Sequence, residues 1–225
     1  MLNLGYLSDQ ECARALKAFE RLSPGTSLEI VTKQRAGRLV AQLQARCGAG
    51  FYWWPLERGP LAWRMILTKP ELDAPVTVAA VMGAGHLRLC ELWDQLERAV
   101  ELRQIDCVHR RSAELSLGLR RFIDIEEEVL FPLLEAQTQM SALSATTRMR
   151  AQHRGIERIL NQLDQLRTTT NCATILEIFE QPVESMTLFQ NHCRMEETAL
   201  YPLMDIVFDP AEERELLRLL QEFEI

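Results

Sequence analysis

The chain has 225 residues, long enough for one domain or two, and its balance of 47% apolar to 25% charged residues suits a protein that buries a core. A net charge of -7 removes any electrostatic reason to expect nucleic acid or an anionic membrane surface as a partner. No apolar window approaches the ~20 residues that a membrane span needs, and no basic stretch leads into an apolar run as a secretory signal would. The cysteines at 12, 47, 90, 107, 172 and 193 form no CxxC pair and no zinc spacing, so reduced thiols in a cytoplasmic protein are expected.

The first part of the chain, 1–69, reads as a small β-α-β-α-β-β unit. Leu2-Asn3-Leu4 is a short strand. Ser8 then caps a helix, with Glu11 three residues on as the other half of a capping box. Ala13, Leu16, Phe19 and Leu22 form its apolar face, and Pro24-Gly25 ends it. Ser27-Leu28-Glu29-Ile30-Val31 alternates as a strand. A second helix carries Leu39, Leu43 and Cys47 and stops at Gly48-Ala49-Gly50. Phe51-Tyr52-Trp53-Trp54 and Leu61 to Leu67 are two further strands, turned at Arg58-Gly59-Pro60. The order predicts a sheet with two helices on one face, a two-layer sandwich.

With its Trp-rich hairpin and Gly-Pro turn, this unit resembles the TusA superfamily of sulfur carriers. That superfamily uses a Cys-Pro dipeptide at the start of the first helix. Here the region reads Ser8-Asp9-Gln10-Glu11-Cys12, and Cys12 falls inside the helix, away from the end whose dipole lowers a thiol pKa. Sulfur-transfer chemistry is therefore not carried over, and Cys12 reads as a structural thiol.

Two prolines within 70–75 mark a linker. From 76 to 225 the pattern is helical. Helix A spans about 76–102, with Val78, Met82, His86, Leu89, Trp93 and Leu96 on one stripe. Helix B spans about 105–136. Helix C spans about 142–167, with Met149, Ile156, Leu160 and Leu163 on one stripe, and helix D about 172–206. Pro132, Pro182 and Pro202 lie inside these spans and predict kinks or early ends. Asp209-Pro210 opens a last short helix. Four amphipathic helices with short connections predict an up-down four-helix bundle, so the fold class is α+β in two domains.

A phrase occurs twice in the bundle. Asn191-His192-Cys193-Arg194-Met195-Glu196-Glu197-Thr198-Ala199-Leu200-Tyr201-Pro202 matches Phe122-Ile123-Asp124-Ile125-Glu126-Glu127-Glu128-Val129-Leu130-Phe131-Pro132 when the final prolines are aligned. His192 and Glu196 sit about 40° apart on one helix face, one turn along, and can hold one metal ion together. The earlier copy has Glu126 but Phe122 in place of the imidazole. His86 on helix A and His153 on helix C also fall on apolar stripes. A single buried histidine needs only a hydrogen bond. Three on separate helices beside two in-phase glutamates point to a metal, since two unpaired buried carboxylates would be very costly. His109 is out of phase with Glu126 and roughly 25 Å along the helix, and reads as a surface residue. Glu127 and Glu128 turn off the Glu126 face and are expected in solvent.

These residues resemble the hemerythrin-like (HHE cation-binding) family. Its helices carry, in order, a His, a His-x3-Glu, a His and a second His-x3-Glu, and the two motifs often run into a Leu-aromatic-Pro ending. The resemblance implies a non-haem di-iron centre bridged by the glutamates, which on this chain transfers to His86, Glu126, His153, His192 and Glu196. It also implies O2 or NO as the small ligand. The RIC proteins of the family, which repair iron–sulfur clusters under nitrosative or oxidative stress, have this ligand set after an N-terminal Cys-Cys segment. Here the α/β unit stands in that place.

Phe122 cannot ligate, and three readings stay open. The di-iron site can survive with an extra open position for a small ligand. Glu157, one turn beyond His153, can fill the gap. Or the site holds one metal or none, and the protein is a regulatory module whose N-terminal unit docks a protein partner through Tyr52, Trp53 and Trp54. An oxidase is disfavoured because no Glu-x-x-His pair falls at the site. A ligand-binding or stress-response protein is expected rather than an enzyme in the usual sense. The apolar neighbours Met82, Trp93, Phe122 and Phe131 would keep the pocket dry.

Overall fold

The computed structural model describes residues 1–48, 50–59, 61–71, 76–138, 145–180 and 183–222, with the side chains of 180, 183–186 and 222 outside that description. Most of the expected linker at 70–75, the start of helix C, Ala49, Pro60 and Pro182 lie outside the described residues. The chain forms two compact units. One is Met1–Val81 together with the terminal helix, and the other is Met82–Asp209.

In the N-terminal unit the elements are β1 (Leu2–Gly5), α1 (Asp9–Glu20), β2 (Ser27–Thr32), α2 (Gly37–Cys47), β3 (Tyr52–Arg58) and β4 (Trp63–Thr68). The sheet order is β1-β2-β4-β3, with β1 parallel to β2 and the other pairs antiparallel. Ala15, Phe19, Leu39 and Leu43 of the helices bury against Ile30, Met65 and Leu67 of the sheet. Ser8 caps α1 by accepting from the Glu11 amide at 3.2 Å. The reciprocal half of the box is replaced, because the Glu11 carboxylate turns to Arg14 at 2.9 Å and the Ser8 amide donates to the Tyr6 carbonyl. Strand β3 tolerates Pro55 because it is an edge strand, and its register shifts between Pro55 and Glu57.

The terminal helix α10 (Pro210–Glu222) groups with this unit, whereas the sequence pattern placed it with the bundle. Gln221 is buried and ties it down. Its amide donates to the Phe51 carbonyl at 3.1 Å, and its backbone carbonyl accepts from Trp53 Nε1 at 2.9 Å. Trp53 is thereby covered, and Trp54 is buried, so the expected docking patch of Tyr52, Trp53 and Trp54 is not an exposed one.

The second unit begins within α3 (Val78–Glu101), after Val81. It continues through α4 (Ile105–Ile125), α5 (Phe131–Thr138), α6 (Ala145–Leu166), α7 (Cys172–Glu180), α8 (Val183–Met195) and α9 (Tyr201–Val207). These make the four-helix bundle, with helix B read as α4 and α5 and helix D as α7, α8 and α9. The stripes expected on helices A and C are buried, except that Leu92 is covered where Trp93 is only half-buried. Gly155 lets α6 approach α8 closely: a Cβ there would come within 2.5 Å of Leu188 Cδ2.

Both copies of the repeated phrase contain a π-helical turn. Glu126–Leu130 joins α4 to α5, and Glu196–Leu200 joins α8 to α9. The Phe131 amide donates to the Glu126 carbonyl, and the Tyr201 amide to the Glu196 carbonyl. Pro132 and Pro202 follow directly. A proline has no N–H to give and pushes on the carbonyl four residues back, and that carbonyl falls inside the widened turn in both copies. The expected kinks are thus absorbed as one-residue expansions, a device found often at functional sites.

Candidate metal centre

The π turns place Glu126 and Glu196 at the centre of the bundle, where both are fully buried. Donor atoms of Glu126, His153, His192 and Glu196 all lie within 4.8 Å of one another. His86 adjoins this group, with Nε2 at 2.7 Å from Glu196 Oε2. His153 Nε2 is 3.0 Å from Glu126 Oε2, and His192 Nε2 is 2.8 Å from Glu196 Oε1 and 3.6 Å from Glu126 Oε2. The structure therefore gathers His86, Glu126, His153, His192 and Glu196 in one buried volume. His109 stays apart, its Nε2–H donating to the Thr169 carbonyl at 2.8 Å. Glu157 is exposed at a cleft and does not join the buried donors, so it does not fill the gap left by Phe122.

The outer nitrogens of the three imidazoles fix their tautomers. His153 Nδ1–H donates to Glu127 Oε1 at 2.6 Å, and His86 Nδ1–H donates to Glu197 Oε1 at 3.0 Å. His192 Nδ1–H donates to the Gln152 amide oxygen at 3.0 Å, and the other end of that amide donates to Met195 Sδ. Ionised carboxylates and an amide oxygen only accept. Each imidazole accordingly turns its Nε2 lone pair inward, as a neutral metal ligand must.

This arrangement corrects the expectation that Glu127 is a solvated bystander. A helix of 3.6 residues per turn would carry it off the Glu126 face, but the π turn spreads successive side chains through a smaller angle. Glu126 points in while Glu127 reaches His153. Glu128 is exposed. Glu127, Glu197, Gln152 and Tyr201 are the residues that sequence reasoning missed. The doubled Glu-Glu in both copies of the phrase was the signal for the first two.

Whether these residues fit a metal can be tested on the buried polar atoms. Glu126 Oε1, Glu196 Oε1 and His192 Nε2 have no hydrogen-bond partner. His192 Nε2 and Glu196 Oε1 approach to 2.8 Å without hydrogen-bond geometry, as two lone pairs aimed at a shared third atom would. Left to themselves, burial and then the charge of Glu196 push the Glu126 carboxyl well above its usual range. Burial also acts to raise Glu196, and that carboxyl is lowered only where His192 and His86 carry the protons that a metal would displace. A divalent or trivalent cation relieves this frustration, since it needs neutral imidazole and ionised carboxylate. The donor set fits.

Apolar and aromatic side chains wrap the centre. Phe122 and Phe131 are buried beside it and Met82 is buried one turn before His86, whereas half-buried Trp93 packs on Phe179 instead. The Phe122 ring lies 4.7 Å from that of His86, and Phe131 stacks on His153 at 5.7 Å. Tyr201 stacks on His86 at 5.9 Å. A cleft of about 430 Å³ opens on the outer side of His153, lined among others by Glu127, Arg150, Arg154 and Glu157.

Such a bundle, with carboxylates and inward imidazoles meeting at its centre, defines a helical cation-binding domain. The family model of the hemerythrin HHE cation-binding domain matches residues 77–204. The chain belongs to that family. Comparison with curated proteins and with solved structures returns no match. No helix among the described residues is long and apolar enough to cross a membrane.

Proposed function

We propose that the bundle holds two iron ions between His86, Glu126, His153, His192 and Glu196 and binds a diatomic ligand, O2 or NO, as a cytoplasmic stress-response protein. The observation that carries this reading is the convergence of three inward Nε2 atoms and two buried carboxylates, each imidazole anchored from outside. Iron held there would supply the electrons for reversible binding of a diatomic. The residues do the rest. Glu126 and Glu196 offset the metal charge, and Glu127, Glu197 and Gln152 keep the imidazoles aimed. Phe122, Phe131 and Met82 exclude water. Phe122 brings no donor, so a position on the His86 side is left for the small ligand.

Service in iron–sulfur cluster repair, a TusA-like ancestry for the N-terminal unit and partner docking by that unit belong to the same proposal and rest on the sequence resemblance. Sulfur transfer does not, because Cys12 is fully buried in α1 and burial raises its thiol. The test is metal analysis of protein purified without oxygen and supplied with ferrous iron. About two irons per chain is expected from the five-residue donor set, with an absorption change on adding O2 or NO. A folded protein that stays iron-free would overturn the reading and leave the regulatory-module alternative standing.

A further inference from the structure

We infer that Tyr201 is a metal ligand, its phenol oxygen joining His86 and Glu196 around one ion of the pair. The inference rests on the di-iron reading above. Tyr201 is buried, and its hydroxyl lies 3.2 Å from Glu196 Oε2 and 3.4 Å from His86 Nε2, while those two atoms are 2.7 Å apart. Donors sharing one ion at bond lengths of about 2.0–2.2 Å stand roughly 3 Å from one another, which is the size of this triangle.

The proton count within the triangle points the same way. His86 Nδ1 is committed to Glu197, so Nε2 presents a lone pair. Glu196 Oε2 presents another, and the phenol oxygen a third. The phenolic proton is the one proton available to three electron-pair donors, and it serves Glu196. A cation in their midst uses all three pairs. Binding forms the metal–phenolate bond and releases the phenolic proton to solvent, with no change of oxidation state when iron is supplied as ferric ion.

The repeat supplies an independent argument. Where one copy reads Phe122 and Phe131, the other reads His192 and Tyr201. His153 and His192 share the side of Glu126, with ring centroids 4.8 Å apart. His86, packed against Phe122, has no second imidazole. With Tyr201 counted, the two sides match in donors: His153 and His192 with Glu126 on one, His86 and Tyr201 with Glu196 on the other, Glu196 also reaching His192 through its second oxygen. The phenol thus supplies a donor on the side that lacks the second histidine.

The test is the visible spectrum of the full chain loaded with ferric iron, read together with iron per chain. A phenolate-to-ferric charge-transfer band is expected, with resonance-enhanced phenolate ring modes. Tyr201→Phe abolishes the band and weakens one of the two iron equivalents about tenfold in a chelator competition, leaving the other unchanged. The chain has three tyrosines, and the other two, Tyr6 and Tyr52, lie in the N-terminal unit. The double variant Tyr6→Phe, Tyr52→Phe keeps the band, which assigns it even if Tyr201→Phe folds poorly. Iron bound without such a band, or a band that survives Tyr201→Phe, overturns the ligand assignment and leaves the di-iron reading in place. Failure to bind iron at all overturns both.

Discussion

The two copies of the repeated phrase carry the same backbone and unequal chemistry. Both widen by one residue into a π turn before a proline, both bury the first glutamate of a Glu-Glu pair, and both use the second to grip an imidazole on another helix. They differ at the position four residues before the buried glutamate, Phe122 against His192, and at the aromatic before the proline, Phe131 against Tyr201. They also differ outside. Glu127 is braced by Arg150 at 2.8 Å, and Arg150 in turn pairs with Glu135 and lies over the Phe131 ring at 5.2 Å. Among the described residues no arginine braces Glu197. The backbone scaffold can therefore be copied while donor and brace are redistributed, one copy richer in ligands and the other in outer support.

Removing Glu196 should have the largest effect, because it alone of the carboxylates touches imidazoles on both sides of the centre at 2.8 Å or less. Glu196→Ala should lower iron affinity more than the 10–100-fold typical of losing an outer partner, measured by chelator competition. Glu126→Ala should cost less. Equal losses would break the asymmetry. The outer carboxylates come next. Glu197→Gln should weaken iron binding within about 10–100-fold, and Glu127→Gln toward the lower end of that range, since Phe131 stacking continues to hold His153. A larger loss in Glu127→Gln would show that Arg150 transmits more than it braces.

Restoring the repeat is the complementary experiment. Phe122→His should raise iron affinity about tenfold if a ligand is missing there. In the metal-free protein the same change should cost about 1–3 kcal/mol, the penalty for a buried polar group without a partner. A chelator titration and a denaturant melt of the apo form read the two effects separately. Unchanged affinity would mean that the coordination on the His86 side is already complete.

Much of this asymmetry is legible in the sequence. Phe122 against His192 shows on alignment, and the apolar stripes of α3 and α6 place His86 and His153 facing inward because a period of 3.6 leaves them nowhere else to point. What a fixed period cannot show is a turn that departs from it. Glu127 falls on the wrong side of a regular helix and the right side of a π turn, so its bond to His153 was invisible until the turn was seen. Tyr201 reads in the sequence only as the aromatic of a motif, because a phenol and a phenyl ring fill the same apolar slot. Helix α10 shows the remaining limit. Its stripe of Leu216, Leu217 and Leu220 says that it packs, while the hydrogen bonds of Gln221 decide on what.

The smallest expected effect concerns the outer brace. Glu135 accepts from Arg150 and from the Thr146 hydroxyl. The Arg150 bond lowers its carboxyl pKa, burial opposes that, and the Thr146 bond adds to the lowering. A carboxyl whose folded pKa lies below its unfolded one contributes stability above the unfolded value. That contribution is lost as pH falls through the folded value. Glu135→Gln should therefore reduce stability at neutral pH by at most about 1 kcal/mol, the range of partly exposed ion pairs, and should change nothing below the folded pKa, where both forms are neutral. Denaturant melts of the apo protein from pH 7 down into the acid range would show the wild-type and variant curves converging. Curves that stay apart in acid would mean that Glu135 acts through packing and not through its charge.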